Sequence, residues 1–120
     1  MYIMESVFVN FTNHSSKYWK EAQTKEALKY GKIVDVEFPN VDPVGNRDYI
    51  VKLAKENVKK IMAFHPSVVL CQGEFCLAYH IINKLKQEGI PVVAACSERM
   101  VKEDGNTKEV IFIFKQFREY

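Results

Sequence analysis

The sequence predicts a single α/β domain in three layers, with four parallel strands, helices on both faces and a C-terminal β-hairpin. Three observations lead there. Short apolar, β-rich runs alternate with longer segments of helical period in the order β-α-β-α-β-α-β. The changes of period fall at breakers: Gly31, Gly73, Gly89 and the loop "PNVDPVGN". Asp104-Gly105-Asn106 is a hairpin turn signal between two further β-rich stretches. With 120 residues, 48% of them apolar, residues 1–120 suffice for one domain around one core.

Each element has its local reason. Residues 5 to 11, "ESVFVNF", are β-branched and aromatic, and stop at the polar cluster Thr12-Asn13-His14-Ser15-Ser16. "KYWKEAQTKEALKYG" then reads as a helix closed by Gly31, with a weak apolar stripe spread over Tyr18, Trp19, Ala22, Ala27 and Tyr30. "KIVDVEF", residues 32 to 38, is the second strand. In the second helix Ile50, Leu53, Ala54, Val58 and Ile61 recur at i, i+3 and i+4, so one face packs on a sheet. "SVVLCQ", residues 67 to 72, is a continuous apolar run suited to a central strand, and a well-buried third helix follows from about Glu74, with Asn83, Lys84 and Gln87 on its exposed arc. Gly89 closes that helix and "IPVVAAC" is the fourth strand. Met100 to Lys102 and "EVIFIFKQF" form the hairpin. Right-handed crossovers between parallel strands give this order a Rossmann-like topology in small form.

Composition narrows the function classes. The formal net charge is +2, from Lys+Arg 17 against Asp+Glu 15, with no basic arm of the kind that tracks a long nucleic acid; a small anionic ligand fits better. Cys71, Cys76 and Cys96 are odd in number, lack C-x-x-C spacing and lie in apolar runs. They read as inert core thiols in a reducing cytosol, with no disulfide framework and no metal site. The start "MYIMESVFVNF" has no basic n-region or long apolar h-region, and nowhere do 18 apolar residues run together, so a cytoplasmic protein away from the membrane is expected. No cofactor motif is present, and neither a P-loop nor a G-x-S-x-G elbow occurs.

In open α/β sheets, ligands bind outside the carboxyl ends of the parallel strands. The turns expected there carry Asn13-His14-Ser15-Ser16, Asn40-Val41-Asp42, Gln72-Gly73-Glu74 and Ser97-Glu98-Arg99, so polar chemistry converges on one edge. Gly73 permits a sharp strand-to-helix turn and close ligand approach, and free N–H groups at the helix start suit a phosphate; equally, Gly73 relieves a tight turn and Glu74 complements the helix dipole. His14 is either a general acid or base titrating near neutrality or a capping residue. Ser15 and Ser16 fit caps better than nucleophiles. His65 and His80 read as structural. Arg99 offers a bidentate fork to a phosphate, or an ion pair to Glu98 or Glu103. In "FKQFREY" Phe114 and Phe117 face the core, and Arg118 and Tyr120 either pair with phosphate and stack on a base or seal the surface.

The segments "VNFTNHSS", "GKIVDVEFPNVDP", "CQGEF", "GIPVVAACSER" and "FKQFREY" together resemble the small CRISPR-associated proteins of type III systems related to ring nucleases. The resemblance spans almost the whole chain. It implies a fold related to the CARF sensor domains and recognition of cyclic oligoadenylates, above all cyclic tetra-adenylate, bound across a homodimer's two-fold axis. Some relatives cleave that ring without metal into linear di-adenylate ending in a 2′,3′-cyclic phosphate. Carried onto this chain, the resemblance implies Asn13, His14 and Ser15 near ribose or phosphate, with His14 the catalytic candidate. Gln72, Gly73 and Glu74 would lie under the ring, and Ser97 and Arg99 on phosphates. Cleavage and sequestration use the same donors. A nucleoside-processing enzyme of deoxyribosyltransferase type, with Glu74 or Glu98 as nucleophile, is the alternative enzyme class, and a non-catalytic interaction module is a third.

Overall fold

Strand pairing in the computed structural model, which describes residues 5–120, gives one mixed five-stranded sheet of order β2-β1-β3-β4-β5 with three α-helices. The first part of the N-terminal stretch read for a leader, residues 1–4, lies outside the described residues. The strands are β1 Val7–Phe11, β2 Lys32–Asp35, β3 Val68–Cys71, β4 Val92–Asp104 and β5 Thr107–Glu119; the helices are α1 Glu21–Leu28, α2 Arg47–Met62 and α3 Phe75–Gln87. β1 pairs in parallel with β2 and β3, β3 in parallel with β4, and β4 antiparallel with β5.

The two-residue period of the strands divides the core. Val9, Phe11, Val69, Cys71 and Val92 point to the side covered by α2 and α3, where Ile50, Ala54, Ile61, Leu77, Ile81 and Leu85 meet them. Phe8, Val68, Leu70 and Val93 point to the other side, where Ala27 of α1, Trp19 and Phe117 cover them. The mixed α/β class and the mostly parallel sheet are as the alternating order predicts. α2 buries the stripe expected of it, with Asn46 as its N-cap accepting from the Tyr49 N–H at 3.0 Å. His65, at φ 49°, turns the chain from α2 toward β3, a structural role.

The structure corrects four expectations. First, the helix expected over 17–31 is broken. A 3₁₀ turn, Ser16–Tyr18, is followed by extended Trp19, and α1 starts only at Glu21. The Trp19 ring packs edge-on against Phe8 and obliquely against Phe117, at centroid distances of 6.3 and 6.5 Å, and that contact sets the backbone where helix propensity does not. Second, the fourth strand does not stop at Cys96. β4 continues through Ser97-Glu98-Arg99 to Asp104, so the fourth turn does not exist and the expected strand and hairpin arm are one element. Only Val92 and Val93 pair with β3, and beyond them the one strand that β4 pairs with is β5. Third, α3 is not buried around most of its surface: Phe75 is 90% and Tyr79 63% exposed. Fourth, only Cys71 is a core thiol, its pKa pushed up to about 12 by burial. Cys76 is exposed, its pKa raised by the neighbouring Glu74 carboxylate, and Cys96 is half-buried. Among the described residues, no helix is long and apolar enough to cross a membrane.

Candidate functional site

The carboxyl ends of β1 and β3 and the first exposed pairs of β4 and β5 enclose an open cavity of about 660 Å³ on the α1 side of the sheet. Its floor is Leu70, Ala95 and Gly73. Its walls are aromatic, with Tyr18 and Trp19 before α1 and Phe112 and Phe114 on β5. Asn13, His14 and Gln72 supply polar groups from the strand ends, Ser97 supplies one from within β4, and Lys20 and Gln23 supply them from the α1 side. Among the described residues that line it, none is Asp or Glu.

The His14 turn is held by a polar network rooted in the sheet. Asn10, 1% exposed, donates from Nδ2 to the His14 carbonyl at 2.8 Å and to Asp35 Oδ1 at 2.9 Å, and its Oδ1 accepts from the Thr12 hydroxyl at 2.8 Å. Thr12 Oγ1 in turn accepts from the His14 N–H at 3.1 Å. Asp35, at the end of β2, also accepts from the Ser15 hydroxyl and from the Ser16 hydroxyl and N–H. Desolvation pushes the Asp35 carboxyl up, but the hydrogen bonds from Asn10, Ser16 and Ser15 outweigh it, and its pKa lies below the usual carboxylate value. The backbone of His14 is thus clamped while its exposed imidazole borders the cavity.

Gln72 solves a problem created where β3 ends. The β3 ladder reaches only Val93 of β4, so the Ala95 N–H has no strand carbonyl opposite it on that side. Gln72 Oε1 accepts from that N–H at 2.9 Å, which leaves the amide NH₂ as the donor of this cavity-lining side chain. Gly73 is required for packing: a Cβ there would lie 2.5 Å from the Phe38 ring, which fills the space beneath the turn. On β5, Lys115 is an extra residue between the pairs Cys96–Gln116 and Ser97–Phe114. This bulge brings Phe114 and Phe117, three apart in sequence, to one face with their rings 4.8 Å apart.

Five of the expected residues meet at the cavity: Asn13, His14, Gln72, Gly73 and Ser97. Three stand outside its lining. Ser15 caps the 3₁₀ turn and donates to Asp35. Glu74 caps α3, accepting from the Cys76 and Leu77 N–H groups at 3.0 and 2.8 Å, so its own carboxylate occupies the helix-start donors proposed for a phosphate; its pKa is held down by those bonds, the Leu77 N–H foremost. Arg99 lies opposite Phe112, one same-face pair farther along the ribbon than Ser97, and makes none of the ion pairs among the described residues; Glu98 pairs with Lys115 and Glu103 with Lys108. Neither Asn40, Val41 and Asp42 nor His65 and His80 line the cavity.

Tyr120 seals the structure, its hydroxyl donating to the Cys71 carbonyl at 2.8 Å, and Arg118 lies opposite Ala94. Sequence reasoning missed Tyr18, Trp19, Lys20, Gln23 and Phe112 as wall residues. The aromatic pair Tyr18-Trp19 directly after a strand-end polar cluster was the available signal. Among the described residues, no three His, Cys, Asp or Glu side chains cluster as metal ligands.

Comparison with curated proteins and with solved structures finds no match. A family model matches residues 6–118, nearly the whole chain and every residue of the cavity, and the chain belongs to the uncharacterized protein MJ1673 family.

Proposed function

We propose that this cavity binds a cyclic oligoadenylate, cyclic tetra-adenylate first among them, and that the protein regulates type III CRISPR signalling in the cytoplasm by cleaving or sequestering that ring. On this reading the sheet is a small Rossmann-like, CARF-like domain, and a homodimer encloses the ring between two such edges. The observation that carries the proposal is the chemistry of the lining: aromatic rings and side-chain amides, one lysine and one histidine, with no carboxylate among the described lining residues. Aromatic faces stack on bases, amides read their edges, and an acid-free site accepts phosphates without like-charge repulsion. The segments that carry the resemblance also supply the site: "VNFTNHSS" brings Asn13 and His14, "CQGEF" Gln72 and Gly73, "GIPVVAACSER" Ala95 and Ser97, and "FKQFREY" Phe114.

The same lining disfavours the deoxyribosyltransferase-like alternative. That chemistry needs a free carboxylate nucleophile at the substrate. Glu74 is committed to the α3 cap, and Glu98 sits on the opposite face of the ribbon, paired with Lys115 at 3.3 Å.

If the ring is cleaved, the ribose 2′-OH attacks the adjacent phosphorus and the 5′-oxygen leaves. The proton lost from the 2′-OH is balanced by one delivered to the 5′-oxygen, and the products carry a 2′,3′-cyclic phosphate and a 5′-OH. Alignment and donors for the phosphorane charge supply most of the acceleration. His14, backbone-clamped at the rim, is the group to move the proton. Arg99, one same-face pair beyond Ser97 on the ribbon, would hold a phosphate at the cavity's edge.

A thermal-shift panel of cyclic tri-, tetra- and hexa-adenylate tests binding: at ~100 times the dissociation constant, about 2.7 kcal/mol of stabilisation is expected. No shift with any ring ends the proposal, whereas a shift with no decay over hours leaves sequestration. Arg99→Ala is expected to weaken binding and His14→Ala to slow single-turnover decay at nearly unchanged affinity.

A further inference from the structure

The β4–β5 ribbon raises a question that the cavity does not answer. From Ser97 to Asp104, β4 has only β5 as a partner, in eight residue pairs, so an arm about 27 Å long projects from the sheet with both outer edges open. A two-stranded ribbon is at best marginal in water on its own, and open edges with apolar faces invite pairing. This arm is apolar on both faces. Val101, Val110 and Phe112, on the cavity side, are 45%, 44% and 59% exposed; Met100 and Ile113, on the other, are 47% and 38% exposed.

We infer that the cavity-side face of this arm docks on a second copy of this chain, and that the second copy lies over the cavity mouth. Charge favours self-association. From Ser97 to Phe114 the arm carries Glu98, Glu103, Asp104 and Glu109 against Arg99, Lys102 and Lys108, with acids and bases side by side. A nearly neutral surface of this kind neither attracts nor repels strongly. A two-fold axis sets each residue against its counterpart's partner, so the Glu103–Lys108 pair, on the same face as Val101 and Val110, is self-complementary. A nucleic acid or an acidic peptide would need an excess of one sign.

Area fixes the extent of the contact. One face of the arm offers roughly 300 Å², well short of the ~800 Å² per partner of a stable interface. The nearest apolar surface continuous with Val110 and Phe112 is the cavity rim, where Tyr18 is 76% exposed. A second copy that covers the arm must therefore cover the rim as well, which makes the open cavity a site shared between two protomers.

This inference rests on the two-fold reading of the proposed function but requires no ligand, so it is tested without one. Sedimentation velocity of the wild-type chain at about 10 µM should show a dimer. Val110→Glu should raise the dimer dissociation constant at least ~100-fold, because the added carboxylate is desolvated in the contact. Met100→Glu, on the opposite face, should leave the dimer intact. Val101→Lys repeats the test from β4, and far-ultraviolet circular dichroism shows that each variant is folded. A wild-type monomer, or a dimer indifferent to folded Val110→Glu and Val101→Lys, overturns the inference, and equal loss from Met100→Glu overturns the choice of face. Because cyclic tetra-adenylate is absent throughout, these outcomes stand whether or not the ring binds.

Discussion

The sheet body and the β4–β5 arm are continuous in hydrogen bonding yet opposite in character. In the body, β1, β3 and the first residues of β4 are covered on both faces, and every strand-end donor near the cavity that the network reaches is matched by an acceptor, down to the Gln72 amide that continues a ladder β3 has left. In the arm, residues of the same strands lie half-exposed on both faces. The difference teaches where stability resides: the body is self-sufficient, and the arm carries apolar surface whose benefit is realised only when something covers it.

Truncation in each region is the most forceful way to break that comparison. Phe11 is fully buried between β3 and Phe38, and Phe11→Ala should cost about 3–5 kcal/mol in urea unfolding. Met100→Ala, in the arm, should stay within about 0.5 kcal/mol. If Met100→Ala cost as much as Phe11→Ala, arm and body would be one cooperative core and the contrast would vanish. A smaller effect sharpens it at the border of body and cavity. Gly73→Ala places a methyl group 2.5 Å from the Phe38 ring, so the ring must shift within a filled core, at a cost of about 1–3 kcal/mol. Unchanged stability would show that Phe38 yields freely and that Gly73 serves the turn alone.

The same contrast explains what the sequence could and could not tell. α2 was legible because its stripe is local: Ile50, Ala54 and Ile61 declare their face at helical spacing. The hairpin turn was legible from Asp104-Gly105-Asn106, and the strand cores of β1 and β3 from their apolar runs. Trp19 was misplaced because a contact with Phe8, distant in sequence, overrides the helical preference around it. "SERMVKED" looks like a turn and a short strand, yet it is one strand, since its pairing partner lies in β5 and supplies the ladder that local composition does not suggest. The site divided along the same line. Asn13, His14, Gln72 and Gly73 follow from the rule that ligands gather at strand ends, whereas Ser97 lines the cavity from within β4, where a turn was expected. Tyr18, Trp19 and Phe112 reach the cavity through the broken helix and the long ribbon, and Phe114 faces it because of the bulge at Lys115. Glu74 and Ser15 carried the right chemistry for a ligand but spend it on caps.

The smallest expected effect probes the network beneath His14. Asp35 is the shared acceptor that ties β2 to the β1 turn, and its folded pKa lies below the unfolded value of about 3.9. A carboxylate whose pKa falls on folding contributes stability that is present above the unfolded pKa and is lost as pH drops through the folded one. Asp35→Asn replaces one acceptor oxygen by a donor facing the donors of Asn10, Ser15 and Ser16. Asp35 is exposed, so solvent screening keeps the loss at pH 7 to about 1 kcal/mol. Stability of wild type and variant measured from pH 7 down to about 2 should then converge, because protonation of Asp35 removes the advantage that the substitution removes outright. A difference that stays constant across that range would assign the cost to shape and leave the carboxylate's charge without a role. A difference that closes below pH ~4 would show that the ionised Asp35 holds the turn on which His14 is presented.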